Sequence, residues 1–124
     1  MIAIGSDHGG FELKQHIMKH LDELGVAYKD FGTYTEDSVD YPDIAKAVAE
    51  PIAANKIHGI RAALCCDVYS AKMCRQHNDA NILCLGGRVT GRELAFLIVD
   101  TYLDETFAGD RHQNRINKIH ALEK

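Results

Sequence analysis

Asp7 and His8 stand side by side just after a short apolar run, Ile2-Ala3-Ile4, stops at Gly5, and Gly9-Gly10 follows them. A carboxylate beside an imidazole can move protons or hold a hydroxyl-rich or anionic ligand. The same pair can also serve as a helix cap and a solvated ring, and position alone leaves both readings open. His77 and Asn78 lie in a polar run, Arg75-Gln76-His77-Asn78-Asp79, directly before a hydrophobic stretch. There His77 can act as a general acid or base, or simply end a surface helix. Arg88 follows Gly86-Gly87, and Arg111 and Arg115 are four apart, so these two share one helix face. Guanidinium forks suit phosphate, although without other anion-site features they read as a solvated basic face.

Other reactive side chains carry less. His16 and His20 have the i, i+4 spacing of a metal pair, but no third ligand accompanies them, and they read as a solvated face. The cysteines are Cys65, Cys66, Cys74 and Cys84. Two are adjacent and none forms a C-x-x-C pair, which fits free thiols in a reducing cytoplasm better than a disulfide framework or a zinc site. Cys65 ends an apolar strand and belongs to the core, while Cys66 falls nearer the rim.

The elements that must position these groups alternate along the chain. Ile2 to Ile4 is a strand. Phe11, Leu13, Ile17, Leu21 and Leu24 recur at helical spacing, with Lys14, Lys19, Asp22 and Glu23 largely on the other side and Gly25 as the C-terminal cap. Val26 to Phe31 is a strand, and Thr33 to Asp40 a polar loop. Tyr41-Pro42-Asp43 opens a second helix, continued by Ile44, Val48 and Ile52. Pro51 breaks it, since an interior proline kinks or ends a helix. Ile60 to Cys65 is a strand, Tyr69 to Gln76 a short helix and Asn81 to Leu85 a strand. Gly91 to Leu103 is a helix with Leu94, Leu97, Ile98 and Tyr102 on one side. Arg111 to Leu122 is a basic helix with Ile116 and Ile119 as its apolar contacts. Strand–helix alternation of this kind means a parallel sheet with helices on both faces, and ligands then bind at the carboxyl ends of the strands. Asp7 and His8 sit on that rim.

The chain has 124 residues, which suits one domain with a real core. A net charge of −4 provides no basic field for nucleic acid. The longest apolar runs are too short to span a bilayer, and the N-terminus has no secretory pattern.

Several stretches closely resemble the B-type ribose-5-phosphate isomerases, the family that also holds the galactose-6-phosphate isomerase subunits. They are Ile2-Ala3-Ile4-Gly5-Ser6-Asp7-His8-Gly9-Gly10-Phe11-Glu12-Leu13-Lys14, Val39-Asp40-Tyr41-Pro42-Asp43, Ile52-Ala53-Ala54-Asn55-Lys56, Arg75-Gln76-His77-Asn78-Asp79, Leu85-Gly86-Gly87-Arg88-Val89 and Arg111-His112-Gln113-Asn114-Arg115. The resemblance runs almost end to end and implies one domain over residues 1–124. It implies a Rossmann-like three-layer α/β/α sandwich, a homodimer or tetramer with sites shared between subunits, and interconversion of aldose and ketose phosphates through an enediolate with no metal or cofactor. By resemblance, Asp7 and His8 contact the sugar and phosphate region and Tyr41 lines the pocket. His77 helps open the sugar ring, Asn78 steadies the intermediate, and Arg88, Arg111 and Arg115 hold the phosphate, some across the dimer.

One departure stands beside the match. The family carries a third strand ending in a Cys-Gly-Thr-Gly-type loop, whose cysteine is the usual proton-abstracting base and whose backbone N–H groups stabilise the enediolate. Here Val48-Ala49-Glu50-Pro51-Ile52-Ala53-Ala54-Asn55-Lys56 passes straight from the second helix into the helix that follows that loop. About four strands are therefore expected, in a sheet that must close over a gap or borrow a strand. Cys65 and Cys66 belong to the next strand and do not fill the gap. Two functions follow: a ribose-5-phosphate-type isomerase, or a sugar-phosphate-binding or partner subunit that keeps the site but not the chemistry.

Overall fold

Parallel pairing needs a crossover, and each strand pair of this molecule is joined by one helix. The structure, a computed structural model, describes residues 1–40 and 54–123. β1 (Ile2–Ile4) runs parallel to β2 (Tyr28–Asp30), with Ile2 opposite Tyr28 and Ile4 opposite Asp30. α1 (Phe11–Glu23) connects them. β3 (Ala62–Leu64) runs parallel to β4 (Ile82–Cys84), joined by α2 (Val68–Asn78). α3 (Arg92–Asp104) and α4 (Arg111–His120) complete the order. The second helix, its opening at Tyr41-Pro42-Asp43 and the Pro51 junction lie outside the described residues.

The α/β class with parallel strands is as the alternation predicts, but among the described residues the four strands form two two-stranded sheets. β1 and β4 nevertheless share a core. Leu83 and Leu85 pack, with Ile2 and Ile4, against Leu13, Ile17, Leu21, Ala95 and Val99. The same two leucines also reach a second cluster, Cys65, Ala71 and Ile98. α3 lies between α1 and α2 and packs against both, so it ties the half-sheets together through side chains where backbone pairing is missing.

Local chemistry sets the ends of the helices. Asp67 caps α2 by accepting the Ser70 N–H at 2.7 Å, and Asp79 closes it in the left-handed conformation at φ 45°. These two caps carry the helix beyond the expected Tyr69–Gln76 at both ends. Gly25 takes φ 69° after α1, as a C-terminal cap requires.

Three expected faces are corrected. Lys14 is not on the outer side of α1: it is 2% exposed, because its ammonium reaches Asp30 at the end of β2. His20 is not on a solvated face either. It lies 2.7 Å from Asp100 of α3 and stacks on Phe96. On α3 the buried stripe is Ala95, Ile98 and Val99, which leaves Leu94 and Leu97 exposed, while Tyr102 donates to the Ala80 carbonyl at 2.7 Å. On α4, Ile116 is buried with His112, and Ile119 is largely open.

Candidate active site

β1 and β4 end on the same edge, and their turns interlock there. Asp7 accepts the Gly10 N–H at 2.9 Å and so caps the 3-10 turn His8–Gly10. His8 Nδ1 accepts from the Val39 N–H at 3.3 Å. The cap reading of Asp7 therefore holds, while the imidazole is tied to the loop rather than loose in solvent. Gly87 lies so close to the turn that a Cβ there would meet Gly10 Cα at 2.5 Å. A Cβ on Gly9 would lie 3.2 Å from Arg88 Nε. The glycines let the Arg88 guanidinium approach the backbone beside His8. A cleft of about 730 Å³ opens here, with His8, Gly9, Glu36, Gly87 and Arg88 in its lining.

His77 and Asn78 stand at the other edge. They end α2, which runs back from the end of β3 toward the start of β4. Arg61, just before β3, donates to the Asn78 and Asp79 carbonyls at 2.9 Å. Arg75 donates to Asp79 Oδ1 at 2.9 Å and to the Ala80 carbonyl at 2.8 Å. Arg61 and Arg75 thus serve the turn, which fixes where His77 emerges. The half-buried His77 ring stacks on His112 of α4, centroids 4.2 Å apart and planes 8° apart. Burial first, then the neighbouring His77, Arg111 and Arg115, hold the His112 imidazole below its usual pKa, with Asp110 opposing.

Arg111 and Arg115 flank His112 on α4 and are exposed. Neither they nor Arg88 has a carboxylate partner among the described residues, although the chain carries an excess of acidic groups. Two unpaired guanidinium groups at the N-terminal turns of a helix make a strong anion-attracting edge. Asn78 also lines a cavity of about 640 Å³, where Arg61 is engaged by Asp79 and His58 Nδ1 lies 3.0 Å from Glu123.

Within one chain, then, Asp7, His8 and Arg88 gather at the carboxyl edge of the strands. His77, Asn78, Arg111 and Arg115 gather at the amino edge. Tyr41 lies outside the described residues. Cys65 does not supply the base of the missing loop: it is buried, and burial pushes its thiol up to about 12. His112 was not singled out by its type or spacing. Its signal in the sequence is its place one turn before Ile116, on the apolar face of an otherwise basic helix.

Known proteins resemble the whole chain. The sequence model of the family described as Ribose/Galactose Isomerase matches residues 2–53 and again 50–119, so the match is interrupted around residues 50–53. Ribose-5-phosphate isomerase B of Escherichia coli is 44% identical, with 99% of this chain and 96% of that protein covered. That alignment runs over 143 positions, so the relative has positions that no residue of this chain meets. The ribose 5-phosphate isomerase of Thermotoga maritima superposes with a TM-score of 0.93 at 45% identity, covering 98% of this chain and 97% of that one. Ribose-5-phosphate isomerase B of Mycoplasma genitalium, solved with bound ribulose-5-phosphate, gives 0.91 at 35% identity, covering 98% and 95%.

Proposed function

This chain belongs to the ribose/galactose isomerase family, and we propose that it interconverts ribose 5-phosphate and ribulose 5-phosphate through an enediolate, in the pentose phosphate metabolism of the cytoplasm. The observation that carries this reading is the pairing of a positioned imidazole, His77, with Arg111 and Arg115, two arginines with no carboxylate partner among the described residues. Arginine forks fit a phosphate dianion, and an imidazole can move the proton between the anomeric hydroxyl and the ring oxygen when the sugar opens. Asn78 then donates to the enediolate oxygens, while Asp7, His8 and Tyr41 bind the sugar hydroxyls and Arg88 adds to phosphate binding. No metal or cofactor is needed for these steps.

The two edges cannot close on one substrate within a chain, because α2, roughly 16 Å long at 1.5 Å per residue, separates them. A homodimer or tetramer in which the amino edge of one copy faces the carboxyl edge of another brings the halves together. Proton abstraction at C2 needs a base. By resemblance it belongs to a strand-end cysteine loop that the passage from Val48 to Lys56 leaves out. Loss of a general base costs roughly 10²–10⁴ in rate. Turnover by this chain is therefore slow. The interruption at residues 50–53 favours a second reading, a subunit that binds sugar phosphate without turning it over.

A coupled assay for ribulose 5-phosphate separates the two, run on protein whose intact mass is verified as 13.8 kDa. Formation of product that is lost in His77→Ala supports the isomerase. Binding of ribose 5-phosphate with no product supports the second reading and overturns the first.

A further inference from the structure

His112 has no assigned task, yet among the described residues it is one of the few buried polar side chains, 6% exposed, and its Nδ1 is buried with no hydrogen-bond partner there. A buried imidazole usually finds a partner for each nitrogen, because an unmet one costs free energy. Here what accounts for the ring is its flat contact with His77. We propose that His112 is a positioning residue, the platform that fixes the plane of the His77 imidazole so that its edge, and not its face, is presented to the sugar.

The surroundings make the platform rigid. His112 belongs to the first turn of α4, where its N–H donates to the Gly109 carbonyl at 2.9 Å, and it is buried together with Ile116 one turn on. The segment leading into α4 is fastened to α2 beside His77. The Ala108 N–H donates to the Gln76 carbonyl at 2.9 Å, Gln76 Nε2 donates to Glu105 at 2.6 Å, and Lys72 lies 3.5 Å from Glu105. α2 and the platform therefore move as one body. Ring opening by proton transfer depends on the direction of the nitrogen lone pair and N–H bond, both of which lie in the ring plane. A ring held on one face keeps its in-plane nitrogens aimed. Without the platform, His77 turns freely about its side-chain torsions, and the fraction of time spent in line with the sugar falls.

This inference rests on the isomerase reading for its effect on rate, but not for the stacking itself, and the test keeps the two apart. Two variants preserve apolar volume: His112→Phe keeps a flat ring, and His112→Leu does not. In the coupled ribose 5-phosphate assay, His112→Leu is expected to lower kcat at least about tenfold with KM changed less than about threefold, and His112→Phe to recover most of kcat. Equal behaviour of the two variants, or a loss confined to KM, overturns the proposal, the latter because it marks a phosphate contact. NMR of the His77 ring protons reads the platform in the same proteins without turnover. A ring-current shift present in the unmutated chain, kept in His112→Phe and lost in His112→Leu, supports it. A shift unaffected by His112→Leu overturns it even if no isomerisation is observed. Lack of turnover with the shift pattern intact overturns the isomerase reading alone.

Discussion

The Lys14 ammonium of α1 lies 2.7 and 2.8 Å from the two carboxylate oxygens of Asp30 and donates a further bond to the Thr33 carbonyl at 2.6 Å. The consequence reaches the candidate site. Asp30 Oδ1 also accepts the Gly32 N–H at 2.9 Å, and Ser6, next to Asp7, exchanges backbone hydrogen bonds with Gly32 and Thr33, both 2.7 Å. A buried lysine thus holds the strand end that carries Asp7. Asp30→Asn leaves the ammonium buried with its charge unmet and should destabilise the fold by about 3–5 kcal/mol. Lys14→Met combined with Asp30→Asn should cost much less than that single change. Urea unfolding of the three proteins checks this, and a single variant as stable as the double contradicts it.

Gly87 is needed for close approach, not for an unusual backbone angle. Gly87→Ala puts a methyl group 2.5 Å from the Gly10 backbone, so the two turns must part. The expected cost is about 1–3 kcal/mol, with weaker ribose 5-phosphate binding as His8 and Arg88 separate. Gly91→Ala, where the added carbon meets nothing within 4 Å, should change unfolding by less than about 0.5 kcal/mol. Thermal or urea unfolding of both variants decides.

Arg111 and Arg115 should act through binding. Each charge-assisted contact to phosphate is worth about 1.5–3 kcal/mol, so Arg111→Ala or Arg115→Ala should weaken ribose 5-phosphate binding by roughly ten- to a hundredfold, measured by calorimetry. Unfolding should barely change, since both side chains are exposed.

His112 makes stability depend on pH. Its folded pKa lies below the ordinary 6.5, so the unfolded chain binds the proton more readily. The contribution is complete above that ordinary value and is lost as pH falls below it toward the folded value. The drop in urea midpoint between pH 7.5 and pH 5 should therefore be smaller in His112→Phe than in the unmutated protein. An unchanged drop contradicts the burial and charge crowding around this ring.

How much of this was legible in the sequence depends on how far apart the partners lie. The turn at Asp7, the cap at Gly25, the burial of Cys65 and the α/β alternation follow from neighbouring residues, and the structure has them. Lys14 and His20 do not, because Asp30 and Asp100 meet them only through the fold and turn expected surface positions into paired ones. Leu97 shows the reverse: an apolar residue on a strong helical pattern stays exposed because Ala95, Ile98 and Val99 define the face that meets the sheets. The residues of the candidate site were legible through the family motifs. Their division between two edges was not, since it arises from the direction of α2 between β3 and β4. The stack of His77 on His112 joins residues 35 positions apart and had no local sign.

Mixing two disabled proteins tests the shared site most directly. Asp7→Ala removes a group from the carboxyl edge and His77→Ala one from the amino edge, so each alone should lose ribose 5-phosphate isomerisation. After the two are unfolded, mixed in equal amounts and refolded, mixed assemblies contain one site with both edges intact. Activity should return to about a quarter of the unmutated level if copies pair at random in a two-fold dimer. No recovery from the mixture, while the refolded unmutated chain regains its turnover, contradicts a site built from opposite edges of two copies.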